Sequence, residues 1–228
     1  MKTTGGSDEA KRRAGESAAD LVADGMVVGL GTGSTAAHAI RALGRAVDAG
    51  LDVRGVPTSF ASRELAREVG VPLVTLDDVD GVDLAIDGAD QVAGFDLVKG
   101  GGAAHAREKV VDTFADRFVV VADPSKLAET LSHPVPVEVL PDARSTVAAA
   151  VSDAGGDPVL REAERKDGPV VTDNGNVVLD CEFGEITDVA ALSRTLSAVP
   201  GVVEHGLFVG LADEIHVGSD DGVRVETR

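Results

Sequence analysis

Cysteine is almost missing from this chain of 228 residues: Cys181 stands alone, which excludes an intrachain disulfide and any cysteine-based zinc cluster. It lies in the apolar run VVLDCEF, where a buried structural thiol is expected. The five histidines (His38, His105, His133, His205 and His216) show none of the short spacings that metal-binding helices use, so no metal is expected. Lysine is scarce too, six against fifteen arginines, and the formal charge of -18 leaves little cationic surface. Affinity for nucleic acids and anionic membranes rests on Lys and Arg contacts to phosphate, so neither is an expected partner. No apolar run is long or uninterrupted enough to span a bilayer, and Met1 to Gly6 has no apolar stretch behind it; a cytoplasmic protein is expected.

With 43% apolar residues, the chain has enough hydrophobic material to bury a core, and its length suits one large domain or a larger domain carrying a smaller one. The acidity leaves two readings, an ordinary acidic cytosolic enzyme or a protein adapted to high salt, where dense carboxylates stay soluble while their repulsion is screened. The scarcity of lysine beside the Asp excess favours the second. It predicts stability that rises from low to molar KCl.

Ser7 is placed to cap a helix with Asp8 and Glu9 in its first turn, and apolar residues recur at Ala10, Ala14, Ala18, Leu21 and Val22. A strand at Met26–Leu30, a glycine loop and a helix over about 35–49 follow. The alternation continues with strand 53–56, helix 61–69 closed by Gly70, strands 73–75 and 82–86, helix 103–115 and the apolar strand 118–122. Such alternation predicts an α/β fold with a mostly parallel sheet and helices on both faces. After His133 the punctuation changes. Pro134, Pro136 and Pro141 frame one short strand, a helix near 145–154 and a strand at 158–163 follow, Asn174-Gly175 signals a hairpin, and a helix is predicted near 189–198. These features predict a smaller α+β domain over 134–207. Residues 1–133 and 208–228 form the larger one, with strands 215–217 and 223–226 returning to its sheet.

Three glycine-rich segments end or follow apolar runs, where sites collect in α/β folds. In GLGTGST, from Gly29 to Thr35, glycine lets backbone N–H groups approach an anion, and the hydroxyls of Thr32, Ser34 and Thr35 flank Gly33 as further donors. The loop is no Walker A motif, and Thr35-Ala36 stand where a dinucleotide fingerprint wants its third glycine. By itself it leaves a phosphate site, a dinucleotide site and a structural turn open. DGAD closes the strand VDLAI, with Gly88 and Ala89 giving the backbone room for Asp87 and Asp90 to face a crevice; two solvated turn aspartates are the plainer alternative. In KGGGAAHAREK, Lys99 precedes Gly100, Gly101 and Gly102, and Glu108 falls early in the following helix. Three successive glycines lose much chain entropy on folding, which a mere linker does not explain.

A cation, a pliable N–H-bearing loop and several carboxylates describe proton abstraction beside a carbonyl. A carboxylate base moves a proton between adjacent carbons and contributes typically ~10²–10⁴ in rate, while each donor to the enediolate oxygen contributes ~10²–10³.

The chain resembles the type A ribose-5-phosphate isomerases, through GLGTGSTAAH, IDGADQV, KGGGAAHAREK, VVADPSK, PVPVEVLP, TDNGNVVLD and PGVVEHGLF in this order. The resemblance implies an aldose–ketose isomerase of the non-oxidative pentose phosphate pathway. It would interconvert D-ribose 5-phosphate and D-ribulose 5-phosphate through an enediolate, with no metal or organic cofactor. It implies Glu108 as general base, Asp87 and Asp90 as ligands of the sugar hydroxyls that assist ring opening, and Lys99 with Gly100 to Gly102 as the loop that stabilises the oxyanion. Thr32 to Thr35 match the substrate loop, Lys126 a phosphate ligand, and Lys11 a second one. It further implies a Rossmann-like domain, a ferredoxin-like small domain and a homodimer or homotetramer. Pro124 in DPSK departs from the small residue expected there and bears on how Lys126 approaches. Two rivals fare worse. A nicotinamide-dependent oxidoreductase wants an acidic residue closing the second strand, where Pro57-Thr58-Ser59 stand, and a sugar-phosphate sensor of the transcriptional kind wants a DNA-binding module.

Overall fold

Ser7 caps the first helix, its side chain accepting from the Ala10 N–H at 3.1 Å, and the helix buries the predicted stripe Ala10, Ala14 and Ala18. The computed structural model describes residues 5–228. In chain order the elements begin with α1 (Asp8–Ala19), β1 (Val27–Leu30), α2 (Ser34–Asp48), β2 (Arg54–Pro57), α3 (Phe60–Glu68) and β3 (Leu84–Gly88). Next come β4 (Gln91–Ala93), β5 (Asp96–Val98), α4 (His105–Phe114), β6 (Phe118–Ala122), β7 (Val135–Val139), α5 (Arg144–Asp153) and β8 (Asp157–Leu160). The chain closes with β9 (Val177–Glu182), α6 (Val189–Ser197), β10 (Val202–His205), β11 (Leu207–Phe208), β12 (Glu214–Ser219) and β13 (Gly222–Thr227).

Two compact units divide these elements. One holds the described residues up to Ala89 together with Arg107–Leu127 and Leu211–Arg228; the other holds Asp90–Ala106 and Ala128–Gly210. The first contains a six-stranded sheet in the order β13-β12-β6-β3-β1-β2, parallel except for the edge strand β13. Its inner strands β1, β3, β6 and β12 are mostly apolar and buried on both faces, as strands covered by helices on each side must be. Alternate residues Val28, Leu30, Leu84, Ile86, Val119 and Val121 pack with Ala14 and Ala18 of α1 and with Ala36, Ile40 and Leu43 of α2. Val27 and Val56 join the core that includes Val111 of α4.

The second unit has the order β-α-β-β-α-β from β7 to β10, with α5 and α6 as its helices and an antiparallel sheet ordered β10-β7-β9-β8. That is the ferredoxin-like arrangement. Its core gathers Val135, Val137 and Val139 of β7 with Val147 and Val151 of α5 and Leu196 of α6. Cys181 belongs to this core, and burial, with the charges of Asp180 and Asp157 adding to it, pushes its thiol up to about 12. The same unit holds a three-stranded sheet, β11-β5-β4. The α/β class stands. Residues 73–75 form no strand, because pairing stops after the single bridge of Leu73 to Gly55. No helix among the described residues is long and apolar enough to cross a membrane.

Candidate active site

The parallel sheet reverses its order at β1, with β2 on one side of it and β3 on the other. Crevices form at the carboxyl ends of strands at such a switch point. Leu30 pairs with Ile86, so the loop after β1 and the Asp87-Gly88 end of β3 leave the sheet side by side. Asp87 is wholly buried, and its Oδ1 accepts the Thr32 N–H at 2.9 Å and the Gly88 N–H at 2.7 Å. Gly31 is needed for this approach: a Cβ there would lie 2.2 Å from Asp87 Oδ1 and 2.5 Å from Asp87 Cα. Gly33 serves as N-cap of α2 with φ of 116°, a region L-residues rarely enter, and Ser34 and buried Thr35 open the helix. Their amides belong to the helix turn whose N–H groups lack helical acceptors.

Glu108 sits in the first turn of α4 and is 3% exposed. Its height along the sheet follows from packing. Ala115 bridges Val82 ahead of β3, and Val111 touches β1 so closely that a Cβ on Gly29 would meet its Cγ1 at 2.7 Å. Because α4 runs antiparallel to β3, Glu108 lies one further turn toward the carboxyl ends of the strands, about 4.5 Å beyond Val111 at ~1.5 Å per residue. In register with Gly29 stands Ala85, so that rise brings Glu108 level with Ile86 and Asp87.

At the end of the neighbouring strand β6, Asp123 caps a short 3-10 turn, Pro124–Lys126, by accepting the Ser125 N–H at 2.9 Å. Pro124 occupies the first position of that turn, where no N–H is required. The proline fits that turn, and Lys126, which ends it, is 8% exposed. Lys11 is half-buried on α1.

The second unit carries the other predicted residues. Asp90 and Lys99 flank a hairpin, β4–β5, in which Gln91 pairs with Val98. This hairpin folds Asp90 back onto the glycine loop, where its Oδ2 accepts the Gly101 N–H at 2.6 Å, and a Cβ on Gly101 would collide with the carboxylate at 2.5 Å. Gly100 has φ of 104° and closes a turn through the Ala103 N–H, at 2.9 Å from its carbonyl. Lys99 is 2% exposed; its Nζ stands 5.3 Å from the Phe208 ring centroid, and its backbone N–H donates to the Gly206 carbonyl at 2.8 Å. A cation over an aromatic face is stabilised by the ring quadrupole.

Several supporting residues escape the sequence reading. Thr32 Oγ1 lies 3.1 Å from Thr58 Oγ1 and donates to Ser59 Oγ at 2.7 Å, so the Thr-Ser pair after β2 steadies the first glycine loop. Its sequence signal was two hydroxyl residues at a strand end. Phe208 and Gly206 lie in the segment PGVVEHGLF, with no role attached to either of them from sequence. Among the described residues, no group of three or more His, Cys, Asp or Glu is arranged to hold a metal ion.

Residues 54–222 match the family model of ribose 5-phosphate isomerase A (phosphoriboisomerase A). The chain is 74% identical to ribose-5-phosphate isomerase A of Haloarcula marismortui, over 98% of this chain and 97% of that protein. It is 70% identical to the protein of that name from Halorubrum lacusprofundi, over the full length of both. Among solved structures, ribose 5-phosphate isomerase A from Methanocaldococcus jannaschii superposes with a TM-score of 0.93 at 46% identity, covering 97% of this chain and 99% of that one. A D-ribose-5-phosphate isomerase solved in complex with phospho-erythronic acid gives a TM-score of 0.95 at 41% identity, covering 98% and 100%.

Proposed function

The chain belongs to the ribose 5-phosphate isomerase A family, and we propose from this that it interconverts D-ribose 5-phosphate and D-ribulose 5-phosphate through an enediolate. The observation that carries the chemistry is the placement of buried Glu108 at the carboxyl ends of β1 and β3, level with Asp87 and the Gly31–Gly33 loop. Glu108 acts as the base. It takes the proton from C2 of the open-chain aldose, the C2–H electron pair forms the C1=C2 double bond, and charge moves to O1. Glu108 then returns the proton to C1 while the O2 proton departs and O1 is protonated, leaving the ketone at C2.

Lys99 and the loop Gly100 to Gly102, whose Gly101 N–H is taken by Asp90, bind the substrate and stabilise the enediolate oxygen. Asp87 and Asp90 receive the sugar hydroxyls and assist ring opening, beside Gly88 and Ala89. Thr32, Gly33, Ser34 and Thr35 offer hydroxyls and helix-terminal amides to the substrate, and Lys126 and Lys11 neutralise its phosphate. A phosphorylated aldonic acid tests this reading, because its carboxylate copies the charge and planarity of the enediolate. 4-Phospho-D-erythronate is expected to inhibit competitively with a KI at least about tenfold below the KM for ribose 5-phosphate; a KI above that KM would count against an enediolate site.

We further infer that residues 134–207 form a small α+β domain that makes a homodimer or homotetramer. Its exposed Leu140, Val159, Val171 and Val203 support this. Sedimentation equilibrium is expected to show an oligomer, and a monomer at micromolar concentration would refute it.

A further inference from the structure

Arg161 follows β8 directly, and its backbone continues the strand: its N–H donates to the Val178 carbonyl at 2.9 Å and its carbonyl accepts from Val170 at 2.8 Å. The side chain is 10% exposed. Its guanidinium grips both oxygens of Asp180 on β9, with Nε donating to Oδ2 at 2.8 Å and Nη2 donating to Oδ1. The remaining nitrogen, Nη1, turns to the glycine loop, where it donates to the Gly100 carbonyl at 2.9 Å and reaches the Gly101 carbonyl at 3.4 Å. Burial alone would raise the Asp180 carboxyl, but the hydrogen bonds and charge of Arg161 outweigh it and hold that carboxyl below its usual range. The Asp180 carboxyl is therefore ionised at neutral pH.

We propose that Arg161, fixed by Asp180, is a positioning residue that sets the peptide planes of the Lys99–Gly102 loop for isomerisation. Three successive glycines have no side chains to steady them, and both Gly100 and Ala103 sit at positive φ, 104° and 59°. Such a loop has many conformations to lose. In a trans peptide the N–H points opposite to the carbonyl across one plane. Holding the Gly100 carbonyl thus aims the Gly101 N–H, which meets Asp90 at 2.6 Å, and holding the Gly101 carbonyl aims the Gly102 N–H. A cation at the oxygen ends of these peptides also polarises their N–H ends, making them stronger donors to an anion. Lysine cannot substitute, because one ammonium lacks the rigid fork that spans a carboxylate and two carbonyls.

A simple brace between β8 and β9 would lower the melting temperature without changing turnover by the folded enzyme. The positioning role predicts a different result. Arg161→Lys is expected to lower kcat roughly ten- to a hundredfold, with the KM for ribose 5-phosphate within about threefold of the parent and the circular dichroism spectrum unchanged. Asp180→Asn is expected to move kcat in the same direction. Arg161→Ala is expected to regain part of its lost kcat on addition of methylguanidinium, which a loss of folding would not allow; if that variant does not fold, the other two decide. Folded Arg161→Lys and Asp180→Asn enzymes with kcat within twofold of the parent would overturn the inference. It rests on the isomerase reading: an inactive parent rejects that reading and the inference with it, whereas an active parent with normal variants rejects the inference alone.

Discussion

Glu108→Gln is expected to lower kcat by roughly 10²- to 10⁴-fold, the contribution of a positioned general base, while the protein still binds ribose 5-phosphate. The amide has the shape of the carboxylate and no net charge to bury, so the packing of α4 against β1 through Val111 and Gly29 is retained. What disappears is the basicity of the carboxylate oxygen that accepts the C2 proton. The hydroxyl and phosphate ligands proposed above are other residues, so KM should stay within a few-fold. Steady-state kinetics and titration of ribose 5-phosphate into the variant by calorimetry separate the two effects. Turnover within tenfold of the parent would remove Glu108 from the role of base, and loss of binding along with turnover would point to a structural part instead.

The second large effect belongs to Gly31→Ala. The new Cβ would stand 2.2 Å from Asp87 Oδ1 and 2.5 Å from Asp87 Cα. A flexible side-chain tip can move aside, but the Cα of a strand paired on both edges cannot. The ends of β1 and β3 must therefore part, and the Thr32 N–H bond to Asp87 breaks. Overpacking of this kind costs about 1–3 kcal/mol, and displacement of the site by about 1 Å costs about a hundredfold in activity. Gly81→Ala is the matched control, since a Cβ at Gly81 meets nothing within 4 Å. Urea unfolding and kcat/KM should both fall for the first variant and stay near the parent for the second. Equal behaviour of the two would contradict the close approach described.

Legibility from sequence followed the range of the forces that shape each part. The helix stripes and valine-rich strands of the parallel sheet were readable because a buried face repeats at fixed spacing. Ser7 and the Ala10, Ala14, Ala18 stripe fell where expected. The hairpin β4–β5 was not readable: its strands are three residues each, too short for a period, and only their pairing shows that Asp90 folds back onto Gly101. Strands β10 and β11, which pair with β7 and β5, were hidden for a similar reason, with Gly206 between them interrupting the apolar run. Conversely, the run at 73–75 looked like a strand, yet only Leu73 bridges to Gly55. The glycine segments could be placed at strand ends, but not the collision that makes Gly31 obligatory. Arg161 gave no signal, because its partner Asp180 meets it through the register of β8 on β9.

The isomerisation itself is the most direct test. Purified protein is incubated with ribose 5-phosphate and EDTA at low and at molar KCl, and ribulose 5-phosphate is followed by its absorbance or by NMR. The account predicts rapid conversion in EDTA, with activity and stability rising toward molar KCl, as the acidic surface and the relatives from Haloarcula and Halorubrum lead one to expect. No conversion at any salt concentration by folded protein would contradict it.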